Sequence, residues 1–569
     1  MTPKSALKRL ASLALLAAIL LATFFFSVFY FFLQVNSVDS SPQIPLSGQH
    51  STTLESMSLA AALSLNSSVS GWHPPNSTWI TDLNEVINGT GVHGFVFNGS
   101  QLPDGVPYGT YNWCNMPHVR ASEYPRIASD EYQLEYVEVI HRHHKRTPYA
   151  SNTFPVESYP WYCSDSGLFY SGAPLNPAGN ASAHTYWSVY TDPSNPFSPT
   201  GFNGTCQFPQ LTRGGLDDSW QHGRDLWGVY HDLLSFLPSD NPLSAMEFRV
   251  TDNVITSQVA SMLIAGMFYS SQNPSQTTLL QGGPLPLKVQ SPSIDSLEPT
   301  YPCPASAALL SLYGPGSNAS PWLAHLAASR PLFAALDAVS GVPPSDAADS
   351  DSDSNADEWH RSWDHYFDNL SARLCHAKPL PCSNEEERKE CVTASQAAAV
   401  FRLGQHEYSR LWRAAPESLP AAAAGYGVWV AELAANIRDA VAAAAATTNG
   451  RRGEGEGSGS GETQRRVRYR HNVAHDGSVA RLLALLQVDV MVWPGMGAEV
   501  VFELYADRRE EEAAAAASYV RVLWGGRVLR SSHPDLGALD MLDAHVLLAY
   551  LDGLVGRGAS KVPGLCGLV

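Results

Sequence analysis

Three segments of the chain share one pattern, in which a short run of β-forming residues leads through a polar loop into a helical stretch. The three strand-like runs are residues 134–140, 248–251 and 466–470. Strands that alternate with helices predict parallel strands joined by crossovers. Ligands in open sheets of this kind bind beyond the carboxyl ends of the strands. The pattern therefore predicts an α/β fold whose polar loops meet at one cleft.

The loop after the first run combines basic side chains with a histidine. Arg142 and Arg146 flank His143 at close spacing. Guanidinium groups are planar, permanently charged and match the geometry of phosphate oxygens. A neutral imidazole held between them could attack phosphorus and carry the phosphoryl group covalently. The loop therefore predicts an anion site with a nucleophile in it.

The segment from Arg142 to Pro148 resembles the Arg-His-Gly-x-Arg-x-Pro signature of the histidine acid phosphatases, with His144 where that family has Gly. Further matches follow in the family's order, with the family's Leu-Thr, Arg-Ser-Thr-Asp and His-Asp motifs in turn. They are Leu211-Thr212-Arg213-Gly214-Gly215, Phe248-Arg249-Val250-Thr251-Asp252 and His475-Asp476. The resemblance covers about residues 131–555.

This resemblance implies a phosphoglycerate mutase-like mixed sheet flanked by helices, with an inserted α-helical cap. It also implies hydrolysis of phosphomonoesters through a phosphohistidine intermediate. His143 would be the nucleophile and Asp476 the proton donor for the leaving group, while Arg142, Arg146 and His475 would hold phosphate. The resemblance implies no metal and no organic cofactor. The expected partner is a phosphorylated small molecule or glycan as substrate.

Two positions depart from the family pattern. Ile255 stands where the family has a third arginine, and loss of one such donor costs about 10² to 10³ in rate. His144 adds bulk beside the nucleophile. We expect a cation from elsewhere to replace the missing arginine, with Arg249 as the first candidate and Arg470 as the second. The alternative is a non-catalytic ectodomain of the same fold that binds phosphate or glycan ligands.

The same residues allow other interpretations. Strand alternation would place His141 and His143 on one face and, with His144, could suggest zinc, but the neighbouring arginines repel a dication. Asp476 could cap the helix that follows it. The acidic run at 349–353 lacks the Gly and Glu of a calcium loop, which favours a solvated loop.

The N-terminus predicts a membrane anchor. Lys4, Lys8 and Arg9 precede an uncharged run from Leu10 to about Val35. A bilayer core needs about 20 apolar residues, whereas the apolar part of a signal peptide has about 7 to 15. The basic residues place the short tail in the cytosol and the bulk in the lumen or outside the cell. We expect a single-pass type II membrane protein, with secretion after cleavage as the alternative.

Glycosylation sequons and cysteines also suit an oxidising luminal or extracellular compartment. The sequons are at Asn66, Asn76, Asn88, Asn98, Asn180, Asn203, Asn318 and Asn369. The eight cysteines include no Cys-x-x-Cys pair, which favours disulfides over zinc. The formal net charge of −18 argues against nucleic acid as a partner.

These features predict a domain order. It comprises a cytosolic tail (1–9), a transmembrane signal anchor (10–36), a glycosylated stem and adapting segment (37–130), the phosphatase-like domain (131–556) and a C-terminal tail (557–569). Predicted helices cluster at about 275–465, where we expect the helical cap. Two low-complexity stretches inside it, 345–358 and 449–462, are predicted to be disordered.

Overall fold

A computed structural model describes most of the chain beyond residue 70. The described residues are 71–127, 131–156, 160–163, 170–172, 185–186, 194–195, 204–239, 242–269, 285–343, 358–383, 389–451, 466–509 and 517–568. The predicted anchor, most of the two predicted disordered loops and the sequons at Asn66, Asn180 and Asn203 lie outside them. Within the described part, no helix has both the length and the apolar character needed to span a bilayer.

Ten strands and eleven α-helices make up the described fold. The strands are β1 (Tyr132–Arg142), β2 (Tyr170–Gly172), β3 (Thr185–Tyr186), β4 (Met246–Val250), β5 (Leu287–Lys288), β6 (Tyr469–Ala474), β7 (Glu499–Asp507), β8 (Ser518–Trp524), β9 (Arg527–Val528) and β10 (Leu542–Asp543). The helices are α1 (Leu83–Asn88), α2 (Arg213–Trp227), α3 (Val254–Met267), α4 (Pro304–Tyr313), α5 (Ser320–Ser340), α6 (Asp364–Cys375), α7 (Ala394–Ser409), α8 (Ser418–Arg451), α9 (Asp476–Leu485), α10 (Ala544–Val555) and α11 (Val562–Leu565).

Eight strands form one central mixed sheet in the order β10-β8-β7-β1-β6-β4-β5, with β9 paired to β8. The strands β1, β6, β4 and β5 run parallel, whereas β7 and β8 continue the sheet beyond β1 in antiparallel pairing. The predicted parallel core and the mixed α/β sheet flanked by helices are therefore confirmed.

The central strand β1 is apolar on both faces because helices cover both. Tyr136 and Ile140 pack in a cluster with α4, α8, α9 and α10. The alternate residues Val137 and Val139 pack in a second cluster with α2 and α3 on the opposite face. From Tyr136 to Ile140, strand alternation thus directs successive side chains to opposite helix layers.

The long helix α8 belongs to the layer on the sheet, not to a cap. Its buried face includes the run from Ala421 to Ala424 and the larger Trp429 and Leu433, in the cluster that contains Ile140. Alanine side chains allow close approach between α8 and its neighbours α4 and α9. The predicted cap at 275–465 is therefore too broad, since α4 and α8 both cover the sheet.

A separate group of helices packs with the N-terminal described segment. The rings of Phe97 and Phe401 stack at 4.2 Å, and Trp113 meets Phe367 edge-on at 4.6 Å. These residues join 71–127 to α6 and α7 in one buried cluster. The folded body thus includes residues that the sequence assigns to a stem, which differs from the predicted boundary at 131.

All eight cysteines are paired, as the prediction of disulfides requires. The pairs are Cys114–Cys375, Cys163–Cys206, Cys303–Cys566 and Cys382–Cys391. The first ties the N-terminal segment to the end of α6. The third holds the chain end beside the start of α4, so residues predicted to form a C-terminal tail belong to the folded body.

The predicted glycosylation sites differ in their exposure to solvent. Asn76, Asn88, Asn98 and Asn318 are exposed. The side chain of Asn369 is fully buried in α6, where it donates to the backbone oxygen of Asn152. A buried amide cannot carry a glycan in the folded chain, so the prediction of a site at Asn369 is wrong.

Expression in a eukaryotic secretory system should therefore give site-dependent glycosylation. We expect Asn318→Gln to remove one glycan, measured as a mass shift abolished by endoglycosidase in the parent chain. Asn369→Gln should leave the glycan mass unchanged. Loss of a glycan from Asn369→Gln would contradict the buried position of this side chain.

Candidate active site

Parallel pairing of β1 with β6 brings the two histidine loops together. Arg142 lies opposite Ala474 in the register, so His143 and His475 follow directly from neighbouring strand ends. The backbone N–H of His143 donates to the Ala474 oxygen at 3.0 Å. The two imidazole ring centroids are 5.4 Å apart. The predicted convergence of these loops is thus present in the geometry.

The His143 ring is buried and oriented by the backbone. Its Nδ1 lies 3.0 Å from the carbonyl oxygen of His144, so this nitrogen carries the hydrogen and donates it. The described residues supply no hydrogen-bond partner for Nε2. Burial, then the charges of Arg142 and Arg146, hold the pKa of His143 well below its ordinary value. The imidazole is therefore neutral, with an unprotonated Nε2.

Arg142 is buried between an indole and a backbone carbonyl. Its guanidinium lies 4.8 Å from the ring centroid of Trp113 and donates to the Pro494 oxygen at 2.7 Å. It also lies 3.4 Å from the carboxylate of Asp476. Within the described chain, its Nε has no hydrogen-bond partner.

Arg146 is held in a similar way by the helix α6. It donates to both carboxylate oxygens of Asp368, at 3.1 and 3.3 Å, and to the Thr147 oxygen at 2.8 Å. Its guanidinium lies 3.8 Å from the ring centroid of Tyr149. As with Arg142, no described group bonds to its buried Nε.

His475 completes the group from the third motif. Its Nε2 lies 3.0 Å from the Thr251 hydroxyl, at the end of β4, and 3.1 Å from the carboxylate of Glu298. The buried Nδ1 finds no hydrogen-bond partner among the described atoms. His143 therefore has three polar neighbours, Arg142, Arg146 and His475, each with one unused nitrogen.

Asp476 is the first residue of α9, and His475 occupies the cap position. Its carboxylate accepts hydrogen bonds from the Trp493 indole at 2.8 Å and from the backbone N–H of Gly477 at 2.9 Å. Burial would raise the pKa of this carboxyl, but Arg142 and the Trp493 donor, with weaker contributions from Arg146 and His475, lower it below its ordinary value. The pKa is thus shifted in the direction opposite to the one that a proton donor needs.

The two arginines expected to replace the missing one, Arg249 and Arg470, are each paired with carboxylates. Arg249 lies on the sheet face covered by α8, where it donates to Glu432 at 2.7 Å and lies 3.4 Å from Asp295. Arg470 pairs with Glu247. Strand alternation explains this outcome, because both arginines project towards carboxylates rather than along the strand towards its end.

Ile255 does not leave a gap in the site. Its side chain is 1% exposed and packs in an apolar cluster with Leu211, Val250, Val259 and Val473. The position is therefore part of the core between α3 and the sheet. The imidazole of His144 is likewise buried, beside Gly497, and its Nε2 lies 3.1 Å from Nδ1 of His222.

The three histidines considered for zinc do not form one group. His143 faces His475, whereas His141 lies on the opposite side of the loop with His144 and His222. The expected sharing of one face by His141 and His143 is wrong because β1 ends at Arg142 and alternation stops there.

Four residues that contact the site residues were not identified from the sequence. Trp113 packs on Arg142, and Trp493 donates a hydrogen bond to Asp476. Asp368 pairs with Arg146, and Glu298 contacts His475. They come from the N-terminal segment, the loop before β7, α6 and the loop before α4. Only the spacing of Trp493 and Pro494 ahead of β7 could have indicated a role, because that loop directly precedes a strand next to β1.

Comparison with known proteins gives distant likenesses. No protein-family profile matches the chain. A curated relative, counting factor 60 of Dictyostelium discoideum, is 24% identical over 391 residues, which cover 68% of this chain and 80% of the relative.

The solved structures that resemble this chain are also distant from it in sequence. A phytase of Klebsiella sp. ASR1 is 15% identical over 75% of this chain and 98% of its own, with a TM-score of 0.42. The Hafnia alvei phytase has 14% identity over 76% and 99% of the two chains and a TM-score of 0.43. A multiple inositol polyphosphate phosphatase of Bifidobacterium longum has 12% identity over 78% and 93% and a TM-score of 0.41. Likenesses at this level carry no argument about chemistry.

The packing of Ile255 predicts that restoring the family arginine damages the fold. Ile255→Arg should destabilise the chain by about 3 kcal/mol or more, because a cation would be buried without a partner. Chemical denaturation with the disulfides intact measures the loss. Val254→Arg, one residue earlier at a position 36% exposed, is the matched control and should change stability by less than about 0.5 kcal/mol. Equal stabilities would contradict the apolar cluster.

Proposed function

We propose that the protein hydrolyses phosphomonoesters through a phosphohistidine at His143. One observation carries the proposal: a neutral imidazole has a free Nε2 and three neighbouring groups whose buried nitrogens lack partners. The free Nε of Arg142 and of Arg146 could each donate one hydrogen bond to a phosphoryl oxygen. His475 could donate from Nδ1 when both of its ring nitrogens carry hydrogen, since its Nε2 faces the Glu298 carboxylate. Donors preorganised in this way stabilise the charge that develops on a transferring phosphoryl group. The motif resemblance to histidine acid phosphatases supports the same assignment.

The reaction would proceed in two displacements. In the first, Nε2 of His143 forms a bond to phosphorus while the bond from phosphorus to the ester oxygen breaks, and Asp476 gives its proton to that oxygen. In the second, water attacks the phosphohistidine and the bond from nitrogen to phosphorus breaks. The Asp476 carboxylate takes the proton that the water loses, which restores the starting state and releases inorganic phosphate.

Asp476 must hold a proton in the first step, yet Arg142 favours its ionised form. A bound phosphate ester would change this balance. Its dianionic group would compete for the Arg142 guanidinium and place negative charge near the carboxylate. Both effects raise the pKa of Asp476 in the complex. Substrate binding would thus prepare the proton donor.

The clamp of two guanidinium groups and one imidazole lacks the third arginine of the family. We expect turnover about 10² to 10³ slower than with a complete clamp. Arg249 could contribute only if substrate drew it away from Glu432 and Asp295, so we place it second to Arg142 and Arg146. The alternative is a phosphate- or glycan-binding ectodomain without turnover.

We propose the lumen of the secretory pathway or the cell surface as the location. Four disulfides suit an oxidising compartment. Four exposed sequons and the apolar run from Leu10 to Val35 agree with a glycosylated type II membrane protein. The substrate would then be a phosphorylated small molecule or glycan of that compartment.

Substitution of the nucleophile and of the acid should have different effects. His143→Ala should abolish turnover. Asp476→Asn should reduce turnover by about 10² to 10⁴ for an alkyl phosphate, whose leaving group needs a proton. It should reduce turnover much less for p-nitrophenyl phosphate, whose leaving group does not. Steady-state assays of the purified full-length chain measure both.

Asp217→Asn is the control, because this carboxylate is 71% exposed and distant in the chain from the loop residues. It should leave both activities unchanged. Equal losses on the two substrates in Asp476→Asn would remove the general-acid role. Tight binding of inorganic phosphate by a wild-type chain that turns over neither substrate would favour the binding protein instead.

The pKa of Asp476 also predicts the pH dependence. Since the active form is protonated and the pKa is lowered in the free protein, kcat/KM should rise as the pH falls towards the acid range. Because bound substrate raises the same pKa, the fall in kcat should occur at higher pH than the fall in kcat/KM. The groups that act on this carboxyl are Arg142, Arg146, Trp493, His475, Arg481, Asp364 and Tyr408. Profiles that coincide would refute the role of substrate in protonation.

A further inference from the structure

Behind the proposed catalytic loop lies a second group of histidines, which phosphoryl transfer does not use. His141 comes from the end of β1, His144 from the loop and His222 from α2. All three side chains are fully buried. One ring nitrogen from each lies within 4.8 Å of the others. We call these three residues the histidine cluster.

Hydrogen bonds fix the protonation of two of these rings. Nδ1 of His141 lies 2.8 Å from the backbone oxygen of Arg142, so it carries the hydrogen. Nε2 of His222 lies 2.8 Å from the carboxylate of Glu499, so it also carries the hydrogen. The opposite nitrogens, Nε2 of His141 and Nδ1 of His222, are therefore lone-pair donors. Metal-binding histidines are oriented in the same way, by a carbonyl or a carboxylate on the second nitrogen.

The lone pair on Nε2 of His141 accepts no hydrogen bond from the described residues. This nitrogen is buried. An unpaired buried polar atom costs about 1 to 3 kcal/mol. A cation bound by the three rings would remove this cost. Two bonds of about 2.1 Å span at most about 4.2 Å. Since the three nitrogens are up to 4.8 Å apart, binding would draw the rings slightly closer together.

The third ring is positioned to complete the group. Nε2 of His144 lies 3.1 Å from Nδ1 of His222, and because that nitrogen of His222 carries a lone pair, His144 donates a hydrogen bond to it. Metal binding would move this hydrogen to Nδ1 of His144, a buried nitrogen for which the described residues offer no hydrogen-bond partner. Two nitrogens bound to one tetrahedral zinc ion are about 3.3 Å apart, since each bond is about 2.0 to 2.1 Å. Gly497 leaves room for the His144 ring, because a Cβ at that position would lie 2.4 Å from its Cε1. The backbone there has a φ of 71°, which favours glycine.

The ionisable groups around the cluster are paired with one another or with the cluster. Glu499 is fully buried and contacts His222 directly. The ring of His118 stacks on His222 at 4.2 Å and pairs with Asp225. The nearby cations are paired with other carboxylates: Arg142 with Asp476 and Lys145 with Asp218.

We propose that His141, His144 and His222 bind one zinc ion, or another divalent transition metal that prefers imidazole. Glu499 would be the carboxylate that orients His222. Two of the ligands flank Arg142 and His143 in sequence, so the metal would fix the loop that carries the proposed nucleophile. It takes no part in the reaction, and the proposal does not depend on phosphatase activity.

The test loads the purified full-length chain with zinc, removes excess metal and measures bound zinc by mass spectrometry. We expect about one zinc per chain, with zinc–nitrogen distances of about 2.0 to 2.1 Å by X-ray absorption. His222→Gln should lower zinc affinity by at least about 100-fold, and Glu499→Gln by about 10- to 100-fold. Bound zinc should also raise the unfolding temperature of the wild-type chain but not of His222→Gln.

His325→Gln is the matched control. His325 is also fully buried and bonded to a glutamate, Glu407 at 2.6 Å, but it is outside the cluster. This variant should keep its zinc. If His222→Gln fails to fold, cobalt bound to the wild-type chain should show the visible bands of a tetrahedral nitrogen-ligated ion. A wild-type chain that binds no zinc or cobalt, or equal zinc in His222→Gln and His325→Gln, would overturn the proposal. Both results are independent of whether the chain hydrolyses phosphomonoesters, so failure of this proposal is distinguishable from failure of the proposed function.

Discussion

The parallel register between β1 and β6 brings together the two loops that carry the proposed catalytic residues. It sets Arg142 opposite Ala474, and so places His143 beside His475. The same register decides which face each strand residue occupies, and it separates His141 from the group around His143. A shift by one residue would exchange the two faces of the strand. The proposed catalytic residues around His143 and the histidine cluster would then both be dispersed.

Paired charges explain how a chain with a formal net charge of −18 can bury several cations in one loop. Arg142, Lys145 and Arg146 each have a carboxylate within hydrogen-bond range. Burial of an unpaired ion would be very costly. The pairing also ranks the cations as ligands for an anion. Asp476 contributes a single contact to Arg142, whereas Asp368 holds Arg146 through both oxygens. In the proposed reaction, an incoming phosphate group would therefore displace Asp476 more readily than Asp368.

Much of the sheet could be predicted from sequence because its signals are local. The three runs that became β1, β4 and β6 have β-forming residues and are each followed by a polar loop and a helix, so their parallel pairing could be predicted. The boundary of the cap did not follow, since the alanine-rich α8 looks the same whether it covers a sheet or other helices. Its partners lie far away in sequence, and only the tertiary structure reveals them.

The candidate site likewise contains residues that the sequence could identify and residues that it could not. His143 could be singled out because two arginines flank it, whereas His475 and Asp476 were assigned through the resemblance of their loop to a histidine acid phosphatase motif. Asp368 and Trp113 could not be identified, because they reach the loop from helix α6 and from the N-terminal segment, where no pattern marks them. The expectation for Arg249 considered its distance along the strand but not the direction of its side chain. Alternation turned the guanidinium towards α8.

The place of β1 in the sheet has a consequence for the order of folding. β1 is made early, but both of its neighbours, β6 and β7, are encoded more than half the chain later. Contacts between residues so distant in sequence form slowly. During synthesis the hydrogen-bonding edges of β1 stay without these partners until β6 and β7 have been made. Such exposed edges invite aggregation, and chaperones generally protect them. Biogenesis of this protein should therefore depend on chaperone capacity more strongly than that of a sheet built from consecutive strands.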